Sequence, residues 1–367
     1  MNKYLKNTIL SLIFLNIFFP LGCTNAEEDI QTLTRDTNST RMPAEWEPHT
    51  ATWMQWPTEW ENFLRSDFAK IINVIRNYEP VHLLVLNSAM ENETKDFLID
   101  QGVLLTNIIW HIVSYDNSWL RDNGPVYVFD KNGLWVQDWN FDAWGGNFGE
   151  TIPYQNDNTI PLKIAGILNK NYENKNSYIL ERGNLECNGK DTVILNWDCQ
   201  NDRNPEWTRE QTNELFRNSF GVSQVIWTEG HSPFDNTTGH IDGALRFVSE
   251  DTVAVARSLI PGDPDAQIYE DAATAARYAG LNVVRMDIPG TINFKGEALP
   301  AIYMNWLVGN GFVAAQGFGN SEWDNAAKVI IEGFFPGRDV HMIVTNELWY
   351  NGGGIHCVTN DQPAETN

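Results

Sequence analysis

The chain is 367 residues long, 42% hydrophobic and 20% charged, which is enough apolar material for a sizeable core and excludes wholesale disorder. Lys and Arg total 25 against 48 Asp and Glu, a formal net charge of -23; that field repels phosphate backbones, argues against a nucleic-acid partner and suits a cationic substrate. Fifteen Trp residues are read first as a heavy core and only second as aromatic pocket walls.

Residues 1–22 read as an export signal. Lys3 and Lys6 supply its positive end, and Ile9 to Phe19 is a short apolar run broken only by Ser11 and Asn16. The run falls short of the roughly 20 apolar residues of a membrane span. Leu21-Gly22-Cys23, followed by polar Thr24 to Asp29, resembles a bacterial lipobox with Cys23 as the lipidated residue. Pro20 departs from that pattern, because an aliphatic residue is usual there. Residues 23–41 are then a polar tether, and 42–367 the folded domain. Export to the cell envelope, with the membrane touched only through the lipid, is the expected location. No second apolar span follows.

With Cys23 lipidated, Cys187, Cys199 and Cys357 remain, an odd number. Cys187 and Cys199 can pair in an oxidising compartment. Against that pair, Asn188-Gly189 reads as a hairpin turn that sets a residue near Asp191 opposite Cys187, with Cys199 further along the return strand.

Taken in order, Trp60 to Tyr78 carries a helical stripe at Phe63, Leu64, Phe68, Ile71, Ile72 and Ile75. Val81–Leu86 and Ile108–Val113 have the length and apolarity of strands. Pro125–Phe129, a turn at Lys131–Gly133 and Leu134–Trp139 predict a hairpin. Helices are expected over Glu206–Phe220 and Ala266–Ala279, each followed by a strand, at Gln224–Trp227 and Asn282–Met286. Ala301–Val308 and Phe312–Ala315 flank a Gly309-Asn310-Gly311 turn as a further hairpin, ahead of a helix near Asp324–Phe335. No linker or composition shift divides this stretch, so it is one α/β domain built from repeated strand-strand-helix-strand units.

Metal-binding, nucleotide-binding and nucleophile-elbow spacings are missing: there is no CxxC, HExxH, GxxxxGK[ST], dinucleotide glycine fingerprint or GxSxG. What stands out are polar residues beside glycines, in Trp119-Leu-Arg-Asp-Asn-Gly-Pro125, Thr238-Gly-His-Ile-Asp-Gly243 and Gly352-Gly-Gly-Ile-His-Cys-Val-Thr359. Glycines let backbone approach a ligand closely, and loop ends carry function more often than core strands. In an extended Gly-His-Ile-Asp segment His240 and Asp242 would share a side, and a His beside a carboxylate can act as acid and base. Singly, each motif also fits a surface ion pair, a turn or a small buried thiol.

Together, and with Arg41-Met-Pro-Ala-Glu-Trp-Glu-Pro-His49, Trp53–Pro57, Trp139-Asn-Phe-Asp-Ala-Trp-Gly-Gly146, Arg203-Asn-Pro205 and Tyr303-Met-Asn-Trp306, the chain resembles the agmatine deiminase family. That family lies within the guanidine-modifying superfamily that includes the Porphyromonas-type peptidylarginine deiminases. The resemblance implies a pentein, a five-bladed pseudo-fivefold α/β propeller with its site at the centre. It implies a hydrolase acting on C–N bonds of linear amidines, with Cys357 as nucleophile, His240 as acid and base, and Asp122 and Asp242 gripping the guanidinium. Such a grip suits a planar cation with five N–H donors.

Glu181 matches a further acidic position, and Trp119 is placed to wall the guanidinium. No metal or cofactor is implied, and homo-oligomer formation is left open. Asp142 stands where the family usually has Asn, an extra negative charge suited to a cationic tail. Arg182 replaces a Gly of the usual Leu-Glu-Gly-Gly, either to contact a substrate carboxylate or to lie on the surface. The expected reaction is agmatine to N-carbamoylputrescine, a step toward putrescine and the polyamines. The alternative is citrulline formation in exported proteins or peptides, and a Trp-rich binding lipoprotein without catalysis ranks last.

Overall fold

The computed structural model describes residues 35–149, 152–233 and 235–365. The expected signal, the lipidation at Cys23 and the tether as far as Thr34 lie outside the described residues. From Arg35 onward the tether reading does not hold, because this stretch is docked. Arg35 pairs with Glu173 at 2.8 Å, Thr40 is buried, and Arg41 and Phe129 exchange backbone hydrogen bonds of 2.9 and 2.8 Å.

The domain opens with strand β1 (His49–Gln55), helix α1 (Arg65–Ile75), β2 (Val81–Val85), α2 (Ser88–Asp100) and β3 (Ile108–Ile112). A short helix α3 (Leu120–Asn123) then leads into β4 (Val126–Asp130), β5 (Gly133–Asn140), α4 (Ile160–Leu168) and β6 (Asn171–Ile179). The next unit comprises β7 (Glu186–Cys187), β8 (Thr192–Asn196), α5 (Trp197–Arg203), α6 (Arg209–Phe220) and β9 (Gln224–Thr228). It is followed by β10 (Leu245–Ser249), β11 (Thr252–Ser258), α7 (Ala266–Tyr278) and β12 (Asn282–Ile288). After a separate hairpin, β13 (Thr291–Phe294) with β14 (Glu297–Pro300), come β15 (Leu307–Gly309), β16 (Phe312–Gly317), α8 (Ser321–Phe334) and β17 (Asp339–Val344). Helix α9 (Asn346–Tyr350) and β18 (Asn360–Pro363) end the series.

Each unit repeats one pairing rule. Its first two strands are antiparallel and joined by a tight connection, while its last joins in parallel after a helix, the crossover that parallel pairing requires. The remaining sheet has the order β18-β1-β2-β3, with β18 antiparallel and β2 parallel to β1. One of the five units is therefore assembled from both ends of the domain. This is the five-unit α/β architecture that the resemblance implied.

Local sequence explains most elements. In α1 the spacing of Phe68, Ile71, Ile72 and Ile75 puts all four on one face, and all are 0% exposed. Each such side chain contributes about 1.5–3 kcal/mol by leaving water. The expected stripe fails at its start: residues 59–64 form a tighter helical turn broken at Glu61, and Phe63 is 42% exposed. Helix α6 begins at Arg209 rather than Glu206, because Thr208 and Gln211 cap each other reciprocally. Of the strand expected over Ala301–Val308, only Leu307 onward pairs; the preceding stretch is irregular and largely buried.

The Cys187–Cys199 pair is not formed. Cys187 faces Val193 across the hairpin with its thiol toward the Met42 carbonyl, whereas Cys199 lies on α5 against Glu181, and both thiols are free. Among the described residues no helix is long and apolar enough to cross a membrane.

Candidate active site

Every unit is preceded by a short irregular or helical segment just ahead of its first strand, and these leading segments converge. Helix α3 brings Asp122 ahead of β4, residues 181–184 bring Glu181 ahead of β7, and residues 240–243 bring His240 and Asp242 ahead of β10. Residues 301–306 bring Asn305 ahead of β15, and residues 356–358 bring Cys357 ahead of β18. The repeat therefore supplies polar groups from five directions, although the groups are far apart in sequence.

The contacts fall into two halves around Cys357. On one side, His240 Nε2 meets Glu181 Oε2 at 2.7 Å, and His240 Nδ1 lies 3.7 Å from Asp122 Oδ1. Asp122 also accepts from Trp144 Nε1–H at 2.9 Å and from the Gly183 amide at 2.9 Å. Arg203 Nε donates to Glu181 Oε1 at 2.8 Å. On the other side, Asp242 Oδ2 accepts from Asn305 Nδ2 at 3.0 Å, meets His356 Nδ1 at 2.7 Å and lies 3.8 Å from Cys357 Sγ. Asn305 Nδ2 and the Gly354 amide point at Cys357 Sγ from 3.2 and 3.4 Å. The segment around His240 is not extended, so the condition for His240 and Asp242 to share a side is not met. Residues 241–243 form a helical turn, and His240 and Asp242 turn to different partners.

Burial sets the charges. For His240, burial disfavours the charged ring, but the carboxylates of Asp122 and Glu181 outweigh it and hold the imidazole well above its ordinary value. Burial pushes the Cys357 thiol up, and the Asp242 and Asp122 carboxylates push it further. Asp122 is also raised by burial, while Asp242 is lowered: burial opposes its charge, and the His356 hydrogen bond prevails. The resting site thus holds an imidazolium, a neutral thiol and a surplus of buried negative charge, an arrangement suited to receiving a cation.

A cavity of about 210 Å³ reaches this cluster, and Asp122, His240 and Cys357 are among its lining residues, with Trp119, Trp144 and Phe148. A second, of about 350 Å³, meets His240 and Cys357 from the side of Asp242 and Asn305. Trp119 can stand beside Cys357 because residue 353 is glycine: a Cβ there would meet the indole at 2.5 Å and the Cys357 Cβ at 3.0 Å. Glycine is required at 183 for the same reason, since a Cβ would lie 2.5 Å from His240 Nδ1 and 2.8 Å from Asp122 Oδ1. Gly183→Ala is expected to lower kcat about 100-fold, with the thermal midpoint little changed, by wedging the two side chains apart. Steady-state kinetics beside a melting curve checks it.

Two expectations are corrected. Arg182 neither lies on the surface nor meets the cavity. It is buried, and its guanidinium donates to Asp361 Oδ2 at 2.8 Å. Asp142 does not line the 210 Å³ cavity; it accepts from the Gly145 amide at 2.9 Å and lies 3.9 Å from Arg203. Asn305, Trp144, His356 and Glu45 were given no role by sequence reasoning. Glu45 meets His356 Nε2 at 2.8 Å, continuing the chain from Asp242. All four fall inside or beside stretches that carry the resemblance, which was the signal available. Glu181, Cys199 and His240 place ligand atoms within 4.8 Å of one another, but Arg203 already bonds that carboxylate, so the cluster is better suited to hold a proton than a metal cation.

Comparison with known proteins agrees with this architecture. The family model of Porphyromonas-type peptidyl-arginine deiminases matches residues 41–363. The agmatine deiminase of Pseudomonas aeruginosa (strain LESB58) is 31% identical over 359 residues, covering 88% of this chain and 95% of that protein. That of Stutzerimonas stutzeri (strain A1501) is 32% identical over 358 residues, with the same coverage of 88% and 95%. The agmatine deiminase structure from Enterococcus faecalis superposes with a TM-score of 0.80 at 24% identity, over 90% of this chain and 98% of that one, a likeness of fold. The chain belongs to the Porphyromonas-type peptidyl-arginine deiminase family, and its five-unit α/β fold is the pentein fold.

Proposed function

We propose that the protein hydrolyses the guanidinium of a small cationic substrate to a ureido group, with agmatine giving N-carbamoylputrescine and ammonia. The observation that carries this reading is the convergence of Cys357, His240, Asp122 and Asp242 around one point reached by a cavity whose lining includes no Lys or Arg. A guanidinium carbon is a poor electrophile, so the site must hold the cation, attack it and protonate the departing nitrogen. Asp122 and Asp242 hold the guanidinium from opposite sides, and the bound cation offsets the negative field that keeps the thiol protonated.

As the cation binds, the Cys357 thiol releases its proton to solvent water, and the thiolate sulfur forms a bond to the guanidinium carbon. One terminal C–N bond breaks as His240 delivers its proton, and ammonia leaves, giving a thiouronium on Cys357. Water attacks the same carbon while His240 takes a proton from it; the C–S bond breaks, and the ureido product and free thiol result. Glu181 orients the imidazole and helps keep it charged, and Arg203 holds Glu181 in place.

A substrate carrying a free carboxylate finds no Lys or Arg on this cavity wall, and the His240 imidazolium is already engaged by Glu181. Arg182, the candidate for that contact, is engaged by Asp361. The expected result with purified, reduced protein is ammonia and ureido product from agmatine, in clear excess over free arginine and over peptides with C-terminal arginine. Turnover confined to arginine peptides would replace this reading with protein citrullination, and turnover of no guanidine would revive a binding role. We also propose export and anchoring through Cys23, on the lipobox-like Leu21-Gly22-Cys23. Radiolabelled palmitate incorporated by the natural chain and lost in Cys23→Ala tests it.

A further inference from the structure

The 210 Å³ cavity has two chemically different parts. Asp122, His240 and Cys357 make the reacting part. Most of the rest of the wall is a collar of Trp60, Phe63, Trp119, Trp144, Phe148 and Ile152; beside it stand the neutral Thr237 and Asn351 and one further ionisable residue, Glu61. Glu61 is 1% exposed and has no salt bridge among the described residues. Its carboxylate is held only by neutral donors: the Ser118 amide at 3.3 Å and hydroxyl at 3.1 Å on one oxygen, and the Thr58 hydroxyl at 3.3 Å on the other. Those bonds are long, and burial pushes the group up to about 7.

We infer that Glu61 is the specificity anchor for the far end of the substrate, where it receives a protonated alkyl amine carried on a short apolar linker from the guanidinium. A buried carboxylate without a counter-ion is under-stabilised, and an incoming ammonium supplies the missing charge together with hydrogen-bond donors. The collar matches the rest of such a molecule: methylenes pack on the rings, and the cation gains from the aromatic faces near Glu61. The same carboxylate would repel a substrate carboxylate at that end. This assignment replaces Asp142, which sequence reasoning had favoured for the cationic tail. It rests on the deiminase reading, and its test is chosen so that the two fail differently.

The experiment compares full-length, reduced wild type and Glu61→Gln on agmatine and on pentylguanidine, which has the same chain length with a methyl group in place of the ammonium. Glutamine keeps the shape and an acceptor for Ser118 while removing the charge. The expected result is an agmatine KM raised about 10- to 100-fold with kcat within about threefold, the size of a lost hydrogen bond to a charged group. The pentylguanidine KM should stay level or fall. Equal losses on both substrates would overturn the assignment, showing that Glu61 only supports the Ser118–Trp119 segment. No change on either would overturn it as well. A wild type inactive on both guanidines defeats the deiminase reading itself, and the anchor with it. Glu61→Asp guards against misfolding: it keeps the charge and should retain part of the preference for agmatine.

Discussion

Cys357→Ser should lower ammonia release by about 10⁴-fold or more while the melting curve stays where it is. The size of the effect follows from chemistry that has no substitute in the site. A serine hydroxyl offers neither the nucleophilicity nor the leaving ability of sulfur, and among the described residues no other thiol lines the 210 Å³ cavity, Cys199 facing Glu181. The fold should tolerate the change, because the side chain is only partly buried and Asn305 and Gly354 can donate to oxygen as to sulfur. His240→Ala should fall comparably, and the double variant should fall scarcely further than either single one, as expected of groups that act as a unit. A Cys357→Ser variant with normal turnover would end the covalent mechanism. In the ligand-free enzyme the raised thiol also implies slow alkylation by iodoacetamide at neutral pH, accelerating as pH rises.

The second large effect is on stability. Asp361→Asn should destabilise the domain by about 3–5 kcal/mol, seen as a lower urea midpoint. Asp361 on β18 accepts from Arg121 Nη1 at 2.8 Å and from Arg182 Nη2 at 2.8 Å, and all three are buried. Removing the shared carboxylate takes from buried Arg182 its ion-pair partner and leaves Arg121 with Glu45 alone, at 3.9 Å. The same contacts tie the C-terminal strand to two neighbouring leading segments, and Arg121 Nε also donates to the His356 carbonyl at 3.0 Å. The site and the closure of the fold therefore share their supports.

The pH dependence has a definite sign. Burial opposes the charge on Asp361, but Arg182 and Arg121 hold it down at about 2. A depressed carboxyl contributes its stability in full above its unfolded value near 4 and loses it as pH falls through about 2. Wild type should lose stability steeply across that window, and Asp361→Asn should show a shallower acid limb. An unchanged midpoint in the variant would mean that the pair contributes nothing net.

Much of the scaffold was legible because it is local. The Phe68–Ile75 stripe, the 125–139 hairpin and the helices ahead of β2, β9, β12 and β17 follow from side-chain periodicity and turn residues and fold nearly as read, whereas α2 and α4 were not read. Phe63 is the exception that explains itself. Its spacing continues the stripe, but Glu61 breaks the helix, and the freed aromatic belongs to the cavity wall instead of the core. The Trp residues divide in the same way. Trp53, Trp56 and Trp306 are buried, as the composition suggested, whereas Trp60 and Trp119 line the cavity.

By itself, the sequence determined the residue types able to handle a guanidinium, their seats beside glycine, and a family resemblance strong enough to imply the fold. The tertiary structure alone decided which of those residues meet. It gave Asp242 to His356 and Asn305, Glu181 to His240 and Arg203, and Arg182 to Asp361. It also set Asp142 outside the cavity and Glu61 on its wall. The reason is range. Helix and strand periodicity is written over a few neighbouring residues, but Arg121 and Asp361 are 240 residues apart and His356 and Glu45 are 311. Burial, and the contacts that oppose it at His240 and Asp242, exist only once the five leading segments have been brought together.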